Sequence, residues 1–203
     1  VEDPVTRTTA GYDRIAPVFA ERSREVGDSF MAFRRRFADA LPTGGRVADL
    51  GCGPGRDAAW FLEQGLTVVG VDRSIEMAKL AAARGVPAVL SDLRRPPLIP
   101  GSLVGLWSVA ALLHVPAGET EPTLRAWSAA LRPGGVLGLS TSAGAGEGWE
   151  PVSYDAEVSR WFVHRDPDAL LATLESAGFE VLEHALNTTH RTWLNVLARR
   201  REV

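Results

Sequence analysis

One cysteine, Cys52, stands in the whole 203-residue chain, so neither an internal disulfide nor a multi-cysteine zinc site can form. Lysine is almost missing too: of 22 basic residues only Lys79 is lysine. With abundant Ala, Gly and Arg, that bias suits a GC-rich coding sequence and says little about chemistry. No charge dominates either. Lys and Arg number 22 against 25 Asp and Glu, a net charge of −3. Such a balance gives no global pull toward nucleic acid or anionic membrane. Long hydrophobic runs are lacking. The longest mainly apolar stretch, 103–113, is interrupted by Gly105 and Ser108 and is too short to span a bilayer. No charged-then-apolar leader opens the sequence, and a cytoplasmic protein is expected. Internal repeats and low-complexity tracts are absent as well.

What is present is a globular composition. The hydrophobic fraction is 45% and the charged fraction 23%, enough for a core without disulfides or metals and far from global disorder. The length suits one domain, 1–203. Residues 1–44 read as a helical lid of two helices, 9–22 and 28–41. Tyr12, Ile15, Ala16 and Phe19 recur at helical spacing in the first, where Pro17 is expected to kink or break it. Phe30, Phe33, Phe37 and Leu41 line one face of the second.

From residue 45 the grammar is strand, turn, helix, repeated. Strands are expected at 47–50, 67–71, 88–90, 103–109 and 136–141, with helices at 57–64, 74–84, 120–131 and 167–177. Ser74 reads as a helix cap. Two last strands, near 179–185 and 193–199, follow each other without a helix and are expected to pair antiparallel. The fold class is therefore α/β: a Rossmann-like, doubly wound, mostly parallel seven-stranded sheet over 45–203 with an antiparallel final strand and the N-terminal helical cap. Residues 143–161 begin with a Gly-, Ala- and Glu-rich stretch too long for a turn, and are expected to form an acceptor loop.

The strongest signal is VADLGCGPGRD (47–57). A strand delivers the chain to Gly51, Gly53 and Gly55, and a helix starts at once, where open α/β sheets bind cofactors. A dinucleotide fingerprint would read G-x-G-x-x-G, but Arg56 stands where its third glycine belongs. The preceding acid, Asp49, repels a pyrophosphate and suits a ligand ammonium group. Asp72, ending VVGVD, can accept from both ribose hydroxyls. Asp92, in Ser91-Asp92-Leu93, can accept from an adenine amino group while a neighbouring backbone N–H donates to the ring. The ligand wanted is a nucleoside carrying an amino acid.

This constellation resembles the class I S-adenosylmethionine-dependent methyltransferases, in the manner of small bacterial enzymes known only as generic methyltransferases. The resemblance runs from Tyr12 to Arg200, on DLGCGPGRD (49–57), VVGVDRS (68–74), SDL (91–93), LWSVAALLHVP (106–116), LRPGGVLGLS (131–140) and AGFEVLE (177–183). It implies S-adenosylmethionine as cofactor and S-adenosylhomocysteine as product. Asp49 and the loop residues Gly51, Cys52, Gly53 and Gly55 would hold the methionine part, Asp72 the ribose, and Asp92 with the Leu93 backbone the adenine. Arg73 and Met77 would lie near the adenine faces, and Ser108 belongs to the same implied cofactor set. Tyr12, in AGYDRIAP, resembles a lid residue, although packing on the sheet is equally open to it. Neither an Asn-Pro-Pro-Tyr nor an Asp-Pro-Pro-Tyr motif follows the fourth strand, and no paired metal ligands are seen. That argues against DNA N-methylating and catechol-type enzymes.

His114 follows the fourth strand near the expected methyl acceptor. It can serve as a catalytic base or brace the loop by a hydrogen bond. His164 and His190 are weaker candidates, and Glu147, Trp149, Glu150, Tyr154 and Trp161 fall in or beside the acceptor loop. Cys52 reads as a small packing residue rather than a reactive thiol. The expected activity is methyl transfer to a small molecule at oxygen or nitrogen, in a biosynthetic setting, by a monomer or homodimer. A macromolecular acceptor (tRNA, protein or peptide) would need the Arg runs 34–36, 94–95 and 199–201 gathered into a basic face. A non-enzymatic cofactor-binding subunit is the third possibility, disfavoured by the intact acids.

Overall fold

The computed structural model describes residues 3–202. Two helices, α1 (Pro4–Arg22) and α2 (Asp28–Asp39), precede the alternating part: β1 (Arg46–Leu50), α3 (Arg56–Glu63), β2 (Thr67–Asp72), α4 (Ile75–Ala83), β3 (Ala88–Leu90) and β4 (Leu103–Val109). Then come α5 (Thr120–Ala130), β5 (Leu131–Ser142), the hairpin β6 (Glu147–Val152) and β7 (Asp155–Val163), α6 (Pro167–Ser176), β8 (Phe179–Thr188) and β9 (Thr192–Arg200). The seven-stranded sheet has the order β3-β2-β1-β4-β5-β9-β8. β1 to β5 pair in parallel, and β9 runs antiparallel to both β5 and β8. The doubly wound sheet with an antiparallel final strand is thus the observed fold. Its strand order reverses between β1 and β4, which opens a crevice at their C-terminal ends.

Apolar strand residues feed two cores, one on each face. Leu50, Leu106, Trp127, Leu139 and Phe179 fill one. Phe33, Phe37, Phe61 and Trp107 fill the other, with Trp107 ring centroids 5.0 Å from Phe33 and 4.9 Å from Phe37. The two helices of the expected 1–44 lid therefore part company: α2 is a core layer on the sheet, and α1 alone crosses the strand ends.

α1 also departs from expectation at Pro17, which neither ends nor splits the helix. Proline removes one backbone hydrogen bond, and the helix is held in addition by side-chain anchors along its length. Asp3 caps its start, and the Asp13 carboxylate accepts from Ser74 Oγ at 2.6 Å and the Glu76 amide at 3.2 Å. Thr8 Oγ1 accepts from the Trp161 amide, and Arg56 donates to the Ser23 carbonyl. Ser74 caps α4 as expected, accepting from the Met77 amide.

The expected 143–161 loop is mostly the β6–β7 hairpin, a separate two-stranded sheet. Its burial alternates only weakly along β6, so the strand pattern is faint in sequence.

Asp57 links three elements beneath the first loop. It accepts from Arg34 at 3.0 Å, from Arg56 at 2.9 and 2.8 Å, and from Trp107 Nε1 at 3.1 Å. Burial raises its pKa, but the bonds from Arg56, Trp107 and Arg34 outweigh that and hold the carboxyl below its ordinary 3.8. Removing it strands a buried guanidinium, so Asp57→Ala should cost about 3–5 kcal/mol in urea unfolding at pH 7. A depressed folded pKa makes this contribution complete above 3.8 and lost as pH falls through the folded value. The gap between wild type and variant should therefore narrow in acid; a gap that widens there contradicts the pairing.

Candidate active site

A cavity of about 880 Å³ lies between the C-terminal ends of the parallel strands, α1 and the β6–β7 hairpin. Among its walls are Tyr12, Asp49, Gly51, Cys52, Gly53, Asp72, Arg73, Met77, Asp92, Leu93 and His114. Eleven separate sequence positions therefore meet in one place. Gly55 and Ser108 do not line it. Gly55 sits behind the loop, where an added Cβ would come within 2.9 Å of Ala81. Ser108 is fully buried and its Oγ donates to the Leu50 carbonyl at 3.1 Å, because strand alternation turns it away from the crevice.

The glycine loop is built for two purposes. At Gly51, with φ +74°, an added Cβ would fall 2.3 Å from the Ala111 Cβ, so that glycine lets two loops touch. At Gly53, with φ +53°, the nearest atom to an added Cβ is 4.0 Å away, so its backbone faces the open cavity. Cys52 packs its sulfur toward Gly70, and burial pushes its thiol pKa up, which leaves an inert packing residue.

Three acids stand here under different terms. Burial pushes Asp49 well above the usual carboxylate range; Asp57 and Asp72 add to this, against Arg56 and the Ala58 amide. Asp72 is also raised by burial, opposed by the amides of Ser74, Gly53 and Arg73; Gly53 donates to it at 2.8 Å and Ser74 at 2.9 Å. Asp92 is lowered: burial raises it, but Arg94 bonds and the nearby Arg73 prevail. Arg94 and Arg73 also reach Asp3, which ties the start of α1 to this end of the cavity.

The opposite wall carries residues that sequence reasoning missed. Arg160, Phe162, Arg191, Trp193, Ser140 and Asn195 all face the cavity. Strand periodicity placed Arg160 and Phe162 on one face of β7, a signal hidden while 143–161 was read as a loop. Of the loop candidates, only Tyr154 lines the cavity. Glu150 bonds His164 at 2.6 Å and Arg191 at 2.9 Å, Glu147 accepts from the Ala117 amide and the Trp161 indole, and Trp149 packs against Trp161. His164 sits outside, bonded to Ser142; His190 is on the exposed rim.

His114 ends a short 3-10 turn, Leu112–His114, and is buried. Its Nδ1 lies 2.5 Å from the Trp161 carbonyl, which can only accept, so Nδ1 carries the proton. Nε2 then accepts from the Tyr12 hydroxyl at 2.8 Å, and Arg160 donates to that same hydroxyl at 3.1 Å. Burial pushes the His114 pKa down to about 3; the Trp161 carbonyl opposes, and Arg160, Arg191 and Arg165 add to the fall. Burial raises the Tyr12 pKa, against the influence of Arg160. The site thus shows a neutral His114 whose lone pair is already engaged.

Among the described residues, no group of three His, Cys, Asp or Glu could hold a metal ion, and no helix is long and apolar enough to cross a membrane.

Residues 21–184 match the family described as "Methyltransferase domain". The chain is 27% identical over 208 residues to a malonyl-[acyl-carrier protein] O-methyltransferase of Enterobacter lignolyticus, covering 96% of this chain and 76% of that protein. Among solved structures it superposes on an S-adenosylmethionine-dependent methyltransferase of Methanosarcina mazei with TM-score 0.76 at 15% identity, covering 88% of this chain and all of the other. The 1,6-didemethyltoxoflavin-N1-methyltransferase of Burkholderia thailandensis, solved with its substrate and S-adenosylhomocysteine, gives TM-score 0.71 at 22% identity over 100% of this chain and 92% of that one.

Nitrogen NMR of labelled histidine should find His114 neutral and Nδ1-protonated from pH 8 down to pH 5. The unfolded chain protonates below about 6.5 while the folded ring does not, so this group costs stability as pH drops below that value. An imidazolium signal from folded His114 at pH 6 would contradict the assignment.

Proposed function

The chain belongs to the methyltransferase-domain family, and we propose that this S-adenosylmethionine-dependent enzyme methylates a small molecule at oxygen or nitrogen. The observation that carries the small-molecule reading is the partial enclosure of the site. Its volume of about 880 Å³ is roofed by α1 and walled by the hairpin, within the range of about 300–1,000 Å³ usual for small-ligand sites. Three arginines of the Arg runs bear on the same reading. Arg34 is buried on Asp57, Arg36 pairs with Glu183, and Arg94 pairs with Asp92, Asp3 and Glu119, so these arginines are spent within the fold. The likeness to proteins whose names specify an acyl-carrier-bound malonyl group and a toxoflavin precursor supports a modest acceptor. A biosynthetic role in a cytoplasmic enzyme fits this reading.

The acids fit the cofactor. Asp49 is a buried carboxyl crowded by two further acids, a setting that favours a ligand ammonium group. The open backbone at Gly53 admits close approach of the methionine part. Asp72 is aimed by two amides and keeps lone pairs for ribose hydroxyls. Leu93 and Met77 wall the adenine end, and Asp92 exchanges its 3.2 Å contact with Arg73 for the adenine amino group. Tyr12 closes the cavity from α1.

Bound S-adenosylmethionine supplies a methyl group already activated on a sulfonium. The protein's part is therefore alignment of the acceptor and exclusion of water. α1 and the hairpin exclude water. Tyr12, braced between Arg160 and His114, presents a fixed hydroxyl to the acceptor. His114 acts as the brace of that hydroxyl, and takes a proton only if Tyr12 swings away.

Asp72→Ala should weaken S-adenosylmethionine binding about 10- to 100-fold by calorimetry, with Asp72→Asn intermediate. Unchanged affinity in a folded variant contradicts the cofactor placement. Methyl-labelled S-adenosylmethionine, incubated with the protein and a cell extract separated by size, should label the small-molecule fraction; label confined to RNA or protein would overturn the acceptor reading.

A further inference from the structure

The cavity is polarised. Its cofactor side carries Asp49, Asp72 and Asp92, while the wall opposite carries Arg160 and Arg191. Both guanidinium groups lie against one ring, with their central carbons 5.2 Å and 4.3 Å from the Phe162 centroid. Arg160 is bonded to the neutral Tyr12 hydroxyl, and its Nε is buried with no partner. Arg191 commits Nη2 to Glu150, while its Nη1 is likewise buried without a partner. Both side chains line the cavity, and of the two only Arg191 has a carboxylate partner, so this wall keeps a positive charge that suits an anionic acceptor. A guanidinium fork matches a planar carboxylate best.

Among the described residues of the same wall, the buried groups that could act as a base are engaged. The His114 lone pair is engaged by Tyr12, Ser140 and Asn195 are bonded to each other at 2.6 Å, and His190 sits on the exposed rim. An acceptor that must first lose a proton would need the Tyr12–His114 bond to open or His190 to reach in from the rim. One that is already an anion needs nothing.

Resting on the methyl-transfer reading above, we propose that the acceptor is a carboxylic acid, held as its carboxylate by Arg160 and Arg191 and methylated on that carboxylate's oxygen. A carboxylate lone pair forms the new O–CH₃ bond as the S–CH₃ bond breaks. The electron pair of the broken bond stays on sulfur. Carboxylate and sulfonium become a neutral methyl ester and a neutral thioether, and no proton is released.

The test reads the chemical nature of the product. The purified protein is given methyl-labelled S-adenosylmethionine with the small-molecule fraction of a cell extract, and in parallel with a panel of mono- and dicarboxylic acids and their amides. Mild alkali then releases methanol from methyl esters and leaves methyl ethers and N-methyl groups intact. The proposal expects volatile label, from acids and not from amides. Small-molecule label that survives alkali overturns the carboxylate and leaves methyl transfer to a small molecule standing. Absence of label from every small-molecule fraction overturns both. Arg160→Gln, which keeps a donor for Tyr12, should lower kcat/KM for ester formation about 10- to 100-fold, with Arg160→Lys recovering part. S-adenosylhomocysteine affinity, by calorimetry, should stay within about twofold of wild type. Ester formation by Arg160→Gln at the wild-type kcat/KM would overturn the anchoring role.

Discussion

Asp49 and Asp57 are buried, and Asp72 half-buried, around the loop that follows β1, and like charges drawn out of water repel one another. The surrounding structure follows from how each is answered. Asp57 takes Arg34, Arg56 and the Trp107 indole, which fastens α2 and α3 to β4. Asp72 takes two backbone amides, one from the glycine loop and one from the start of α4, which fixes the distance between those turns. Asp49 receives little, and its carboxyl sits well above the usual range. Asp57 is answered by the fold, Asp72 only in part and Asp49 least, which is in keeping with the proposed ammonium group at Asp49.

The roof obeys the same electrostatics. α1 is fixed over the strand ends largely by polar anchors, since only a few of its residues are buried apolar ones. Asp13 reaches the N-terminus of α4, where a negative charge is favoured, and Asp3 completes an ion cluster with Arg73 and Arg94. Those last two arginines also hold Asp92, so α1 and the turn after β3 share their charges. At the far wall the sign reverses. The arginines around His114, together with its burial, keep that ring neutral and make it a brace for Tyr12.

The β1–loop–α3 unit and the acids at the ends of β1 and β2 were legible in the sequence because local rules decide them: glycines where φ is positive, acids at strand ends, Ser74 as a cap. The doubly wound, mostly parallel sheet followed from the strand–helix alternation. Where tertiary contacts decide, the reading fell short. Pro17 obeyed its anchors instead of its own preference. Ser108 sits in a motif-rich stretch, yet strand alternation turned it inward to Leu50. The hairpin was read as a loop because its Gly, Glu and Pro content masks a weak alternation, and that concealed Arg160 and Phe162. Arg191, just before β9, had no local signal at all; only the fold brings it to the same ring.

A crystal structure with S-adenosylhomocysteine bound tests the central claim most directly. The account predicts the ligand's ammonium group on Asp49, its ribose hydroxyls on Asp72, and α1 closed above it with Tyr12 still bonded to His114. A ligand bound away from Asp49 and Asp72, or an Asp49 paired with a protein cation while the ligand is in place, would contradict it.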